Sequence, residues 1–227
     1  MPRDVGVLLV AGGRGERAGA GTLKQFRELA GVPLLLRALR PFSSHPDVAH
    51  IVIALPAEHA AAPPAWLSEL QGPAVTLVAG GAERAESVRR ALSALPPDAG
   101  IVLVHDAARP FVSGEVISAV IAAARAGGAA LAAVPLADTL KEADTSGSVV
   151  RRTLPRQALW RAQTPQGFRR SILEAAQVAA AAGATDDSML VEATGVDVQL
   201  VPDSSLNFKV TTSDDFALAE AWASHLR

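Results

Sequence analysis

The sequence predicts an α/β protein with a mainly parallel, doubly wound sheet, and three observations carry that prediction. Short valine- and isoleucine-rich runs recur: "VGVLLVA" (5–11), "HIVIALP" (50–56), "AVTLVA" (74–79), "IVLVHD" (101–106) and "AALAAVPL" (129–136). Segments with apolar residues at helical spacing separate most of them. Strands that alternate with helices imply parallel strands joined by crossovers and covered on both faces. A chain of 227 residues, 49% of them hydrophobic, fits one domain of this kind with ample material for a core.

Each element has a local reason. The run Val5 to Val10 is too short for a helix and reads as a buried strand. "PLLLRALRPF" opens with Pro33 at a first-turn position, where its missing N–H leaves no helical bond unmade. "ERAESVRRALSAL" puts Ala85, Val88, Ala91, Leu92 and Leu95 at helical spacing, and "GEVISAVIAAARA" follows Ser113, a suitable N-cap. After Leu136 the pattern changes. "TLKEA" and "SVVRRTL" are short β-like pieces joined by the turn-rich "DTSGS". They predict a hairpin arm at about residues 137–158, inserted into the single domain, since two strands cannot build a core of their own. Alternation resumes with a helix over 170–182, another from Asp187, a strand at "DVQLV" and a last helix from about Ser213 behind a capping box, Thr212 to Asp215.

Composition excludes several classes of function. Net charge is −2 with acids and bases evenly spread, which argues against nucleic-acid or anionic-membrane binding as the main activity. No cysteine is present, so disulfides, thiolate nucleophiles and cysteine metal sites are out. The five histidines lack metal-ligand spacing. No apolar stretch approaches the roughly 18 residues of a membrane helix. Asp4 and "RGER" spoil a faint signal-peptide character at the start, so the expectation is a soluble cytoplasmic protein.

In sheets of this class ligands bind beyond the carboxyl ends of the strands, which singles out "AGGRGER", "GGAERAES" and "HDAARP". Gly13, Gly15 and Ala18 fit the dinucleotide fingerprint G-x-G-x-x-G/A. That reading also needs an acid about 20 residues on, and "GVPLLLRALR" has none. Arg14, Arg17 and Lys24 instead suit a polyphosphate, with a solvated surface loop as the alternative. Gly80 and Gly81 could let a flat nucleobase lie against backbone with Ser87 as hydrogen-bonding partner, or simply turn a strand into a helix. Asp106 is a natural Mg²⁺ ligand beside phosphates, or else a turn cap paired with Arg109. His105, one residue out of phase with it, reads as structural. Lys209 in "NFKVTTSDD" is a further phosphate contact or a solvated charge. Neither a nucleophile elbow nor G-x-x-x-x-G-K-[ST] occurs, which weighs against hydrolase and kinase chemistry.

Together "VAGGRGER…LKQF", "GGAERAESV", "VHDAARP", "PLADTLK", "TPQGF" and "NFKVT" stand in an order and spacing that resembles the 2-C-methyl-D-erythritol 4-phosphate cytidylyltransferases over essentially the whole chain. The resemblance implies a Rossmann-like nucleotidyltransferase sheet with a dimerisation arm. It implies cytidylyl transfer from CTP to methylerythritol phosphate in non-mevalonate isoprenoid synthesis, with Mg²⁺ or another divalent cation and a homodimer whose arms embrace. By residue, it implies Arg17 and Lys24 as catalytic cations at the CTP phosphates. Ala11, Gly12, Gly81 and Ser87 match contacts to the cytidine, Gly13 and Gly15 belong to the same nucleotide-binding loop, and Asp106 matches the residue near metal and ribose. Arg109, Thr139, Arg156 and Thr164 match positions that bind the methylerythritol phosphate or complete the site, as does Lys209, which also stands as a nucleotide contact. Two residues depart from the pattern: Gly12 stands where alanine is usual, and Leu23 where proline is usual.

The implied chemistry suits the residues. A phosphomonoester has its second pKa near 6, so the attacking oxygen is already ionised and no general base is needed. What limits the reaction is repulsion between anions and charge gathering at the α-phosphorus, which fixed cations and Mg²⁺ offset. Two alternatives stay open on the sequence: a ribitol-5-phosphate cytidylyltransferase, and a non-catalytic nucleotide-binding regulator on the same fold.

Overall fold

The computed structural model describes residues 3–13, 23–68, 73–178 and 184–226. In chain order the strands are β1 (Val5–Val10), the short pair β2 (Glu28–Leu29) and β3 (Val32–Pro33), β4 (Val48–Leu55), β5 (Ala74–Ala79), β6 (Ile101–Asp106), β7 (Ala129–Pro135), β8 (Leu140–Ala143), β9 (Val150–Leu154), β10 (Trp160–Arg169) and β11 (Gln199–Pro202). The helices are α1 (Leu34–Ser43), α2 (Ala57–Ala61), α3 (Ala65–Ser68), α4 (Arg84–Ala94), α5 (Gly114–Gly127), α6 (Arg170–Val178), α7 (Asp187–Glu192) and α8 (Ser213–His225).

Seven strands form one sheet in the order β11-β7-β10-β6-β1-β4-β5. All its pairings are parallel except those of β10, which runs antiparallel to both β6 and β7. Successive side chains of a strand leave on opposite faces, and both faces are buried. Val5, Val7 and Leu9 pack with Leu35 and Phe42 of α1 and Ile117 and Val120 of α5. Leu8, Val52, Val102 and Val104 pack on the other face with Val88 and Leu92 of α4, Leu173 of α6 and Val191 of α7. This is the doubly wound sheet the alternation predicts.

The caps hold as expected. Ser113 accepts from the backbone N–H of Val116 at 3.2 Å, and Thr212 and Asp215 form a reciprocal capping box. Pro33 stands one place earlier than expected, as the N-cap of α1. The helix expected over 170–182 is described to Val178, and 179–183 lie outside the described residues.

β10 is the element the sequence pattern conceals. "WRAQTPQGFR" carries Pro165, Gly167 and two glutamines where a valine run would announce a strand. A proline normally argues against a central strand because it cannot donate to the ladder. Here Pro165 falls where the pairing with β7 slips, between Ala162 and Gln166, and the ladder resumes at Gln166. β8 and β9 form the expected hairpin as a separate two-stranded sheet, with Leu140 opposite Leu154. Its surface stays open, with Val149 and Val150 each 58% exposed.

Candidate active site

A cavity of about 600 Å³ lies beyond the carboxyl ends of the parallel strands. Three loops build its walls, and the sheet register sets their positions. Val10 of β1 stands opposite Asp106 of β6. The N–H of Ala107 then bonds back to Val10 at 3.0 Å, and that of Ala11 to Ala54 at 2.9 Å. Gly80, just past β5, donates to Leu55 at 2.7 Å. Ala11, Gly12 and Gly13 are thereby brought beside Gly81, Ser87 and Asp106, and all six line the cavity with Lys24 and Lys209. Eight of the expected site residues meet in one place.

Ser87 sits in the first turn of α4 and is 2% exposed. Its hydroxyl donates to the Glu83 carbonyl at 3.1 Å and accepts from the Gly81 N–H at 3.0 Å, so it holds the Gly81 turn closed. Close approach explains the glycine before that turn. A Cβ on Gly80 would lie 3.0 Å from the Ser87 hydroxyl and 3.3 Å from the Leu55 carbonyl. Gly12 is less constrained, since a Cβ there would meet the same hydroxyl at 3.4 Å, an ordinary contact.

Asp106 is the electrostatic centre. One carboxylate oxygen accepts from Arg84 Nε at 3.2 Å and the other from Lys209 Nζ at 2.8 Å. Burial alone would raise its pKa, but the charges of Arg84 and Lys209 outweigh that and hold the carboxyl well below its usual range. Arg84 reaches on to Asp187, at the start of α7, with Nη1 2.6 Å from the carboxylate. Burial disfavours the charged guanidinium, yet Asp187 and Asp106 together raise its pKa further. Asp187 is 1% exposed, and burial raises its carboxyl despite Arg84.

Lys24 lies in a short 3₁₀ turn (24–26) and donates to the Val210 carbonyl at 2.8 Å. Next to it, Gln25 is buried and donates to the Ala11 carbonyl at 2.8 Å, which pins this turn to the glycine loop. Leu23 has φ −51°, inside the range a proline ring imposes, so the backbone keeps the shape that proline would set.

The other expected residues are placed differently. Arg109 stands outside the cavity lining and donates to the carbonyls of Asn207 at 2.7 Å and Ala162 at 3.4 Å. In this role it braces the loop that carries Lys209. Thr164 is 4% exposed, with its hydroxyl bonded to the backbone of Asp106 and to His105. Thr139 and Arg156 flank the hairpin strands, are exposed, and do not line the cavity of their own chain. Arg14, Gly15, Arg17 and Ala18 lie outside the described residues.

Sequence reasoning missed Arg84, Gln25, Thr211 and Asp187. Arg84 had a readable signal, because it lies three residues before Ser87 and so shares its helix face. Asp187 had none, since it reaches the site only through the fold. Among the described residues no three His, Asp or Glu side chains cluster as a metal site. Among the described residues lining the cavity the carboxylates are Asp106 and Glu83, and Asp106, at the end of β6, is of the type that binds a divalent cation together with phosphate oxygens.

Comparison with known proteins matches the chain, over residues 5–225, to the family model described as 2-C-methyl-D-erythritol 4-phosphate cytidylyltransferase. A protein of that name from Frankia casuarinae is 48% identical over 96% of this chain and 80% of its own length. Another, from Salinibacter ruber, is 47% identical over 95% and 91%. The crystal structure of the Thermus thermophilus enzyme of that name superposes with a TM-score of 0.79 at 37% identity, covering 97% of this chain and 99% of the other.

Proposed function

The chain belongs to the 2-C-methyl-D-erythritol 4-phosphate cytidylyltransferase family, and from that premise we propose how its residues divide the work. It is a nucleotidyltransferase that joins the phosphate of 2-C-methyl-D-erythritol 4-phosphate to the α-phosphate of CTP, with release of pyrophosphate, in isoprenoid synthesis by the non-mevalonate route. The observation that carries our assignment is the convergence of Lys24, Arg84 and Lys209 on one cavity with a single central aspartate.

The turn of Gly80 and Gly81, held by Ser87, receives the cytosine against backbone. Gly12 forms the facing wall. Gly13, Lys24 and Arg17 take the triphosphate, and Lys209 stands between the two substrates. The attacking phosphate oxygen is ionised without help at neutral pH. Each fixed cation lowers the barrier by stabilising charge that develops at the α-phosphate and the leaving pyrophosphate. Asp106 would hold a Mg²⁺ ion, which supplies charge neutralisation at the phosphates when bound. Each of its oxygens accepts from one cation, Arg84 or Lys209, and keeps a lone pair that such an ion would use.

Arg156 and Thr139 complete the site of a second copy in a homodimer. The exposed hairpin supports this reading, because a two-stranded ribbon with both valines in solvent has apolar surface to bury elsewhere.

Pyrophosphate release tests the assignment, with CTP or UTP as donor and methylerythritol phosphate or ribitol 5-phosphate as acceptor. We expect CTP with methylerythritol phosphate to dominate, because a mismatched base edge leaves buried polar groups unpaired. Equal kcat/KM for CTP and UTP would remove the Gly81–Ser87 turn as base reader.

A further inference from the structure

His105 has no part in the chemistry above, yet it joins three of the site's residues. It is 0% exposed and lies on the α1 face of β6, with its ring centroid 4.8 Å from that of Phe42. Nε2 lies 3.0 Å from the carbonyl oxygen of Arg109, and Nδ1 lies 2.9 Å from the hydroxyl of Thr164. That hydroxyl in turn accepts the backbone N–H of Asp106 at 3.1 Å. A carbonyl can only accept, so Nε2 carries the hydrogen. In the neutral ring Nδ1 is then bare and takes the Thr164 proton. Donors and acceptors are matched along the whole chain, from Asp106 N–H through Thr164 and His105 to the Arg109 carbonyl.

The ladder explains why such a chain is needed. The pairing of β6 with β10 has its last rung at Val104 opposite Gln166, and β10 then slips in register. Asp106, two residues further on, has no β10 carbonyl for its N–H, and the Thr164 hydroxyl takes that place. Asp106 itself points to the opposite face, into the cavity.

We propose that His105, held as the neutral Nε2–H tautomer, is a positioning residue for the transfer reaction. Through Thr164 it fixes the backbone from which the Asp106 carboxylate projects, and through the Arg109 carbonyl it fixes the turn after β6. The charged groups beside it are Asp106 and Arg109, while α1 presents Phe42. The Asp106–Lys209 geometry thus rests on a histidine that never touches substrate. The proposal relies on the site assignment above.

His105→Phe tests it, because phenylalanine keeps the ring packed against Phe42 and removes both hydrogen bonds. We expect a folded protein whose kcat/KM falls by about 10- to 100-fold, as when the partner that orients a site residue is lost. Thr164→Val breaks the same chain, so the double variant should lose no more than the worse single one, whereas Lys24→Ala should multiply with either. Activity of His105→Phe within about twofold of wild type, or losses that multiply with Thr164→Val, overturns the proposal. Should His105→Phe not fold, His105→Gln keeps a donor for the Arg109 carbonyl and is expected to regain part of the activity. Nitrogen NMR of the wild-type ring needs no variant. Nε2 should carry the hydrogen and Nδ1 should be bare, the tautomer that the two hydrogen bonds require. The opposite tautomer overturns the proposal whatever the kinetics. A wild-type protein without transferase activity would instead sink the site assignment and leave the NMR result standing.

Discussion

Replacing Lys209 with methionine keeps most of the unbranched stem and deletes the charged end, which separates what the lysine does for stability from what it does for catalysis. In the structure its Nζ lies 2.8 Å from Asp106, with the lysine side chain 44% exposed and the aspartate 11% exposed. At that separation two unit charges attract by about 6 kcal/mol for an effective dielectric constant near 20, and by about 1.5 kcal/mol in bulk water. Desolvation and screening reduce a half-exposed pair to about 1 kcal/mol net, and Arg84 still neutralises Asp106. Denaturant unfolding of Lys209→Met should therefore show a loss of only about 1 kcal/mol. The rate should respond far more. An oriented charge facing a developing oxyanion is worth about 3–4 kcal/mol, so kcat for pyrophosphate release should fall by roughly 100- to 1000-fold. The disproportion is the signature of a residue that acts on the transition state. A kcat within about threefold of wild type, at whatever stability, would refute the reasoning.

The remaining expectations follow from the same contacts. Gly12→Ala should keep nearly full activity in steady-state assays, because its Cβ meets the Ser87 hydroxyl at 3.4 Å, while Gly80→Ala should raise the KM for CTP and cost about 1–3 kcal/mol in unfolding experiments, because its Cβ lies within 3.0 Å of that hydroxyl. The folded-state pKa of Asp106 is depressed, so its contribution to stability is present above the unfolded value near 3.9 and is lost as pH falls below it. Denaturant titrations from about pH 3 to 7 should accordingly show a shallower acid loss in Asp106→Asn than in wild type, and an unchanged slope would contradict the ion pairs described. Finally, Lys24→Ala and Arg156→Ala proteins, each nearly inactive alone, should regain up to about half of wild-type activity when mixed and reassembled, since the heterodimer has one site with both residues intact. If subunit exchange is verified and the mixture stays inactive, the arm serves its own chain.

How much of this was legible in the sequence depended on whether a residue's job is local. "IVLVHD" coincides with β6 to the residue because a parallel strand buried on both faces reads as an apolar run, and "AVTLVA" coincides with the edge strand β5, where the run is valine-rich but only partly buried. Thr212 with Asp215, and Ser113, could be read because a cap is satisfied within its own turn. β10 could not, since its place between β6 and β7 is decided by long-range antiparallel pairing to both strands, and its polar side chains serve the loops around the site. The same division runs through the site. The glycine turn and Ser87 were visible as a motif. Asp187 was not, because nothing in "ATDDSML" shows that one carboxylate will meet an arginine a hundred residues earlier. Arg109 was read for its charge, yet the structure uses that charge to hold the 207 loop in place.

The arrangement of charge around Asp106 also accounts for how three cations can share a small cavity before any substrate arrives. Lys24, Arg84 and Lys209 would repel one another across about 600 Å³ if nothing stood between them. Arg84 is held between two carboxylates, Asp106 and Asp187, and Lys209 rests on the second oxygen of Asp106. Lys24 donates to the backbone carbonyl of Val210, and its charge helps hold the Asp215 carboxyl below its usual range. These partners differ in how readily they let go. Asp187 is sealed at 1% exposure and grips Arg84 at 2.6 Å, so Arg84 stays where the fold puts it. Lys209 is half exposed and can swing from Asp106 to a phosphate oxygen at little desolvation cost. Arg84 is thus held by two carboxylates and the half-exposed Lys209 by one.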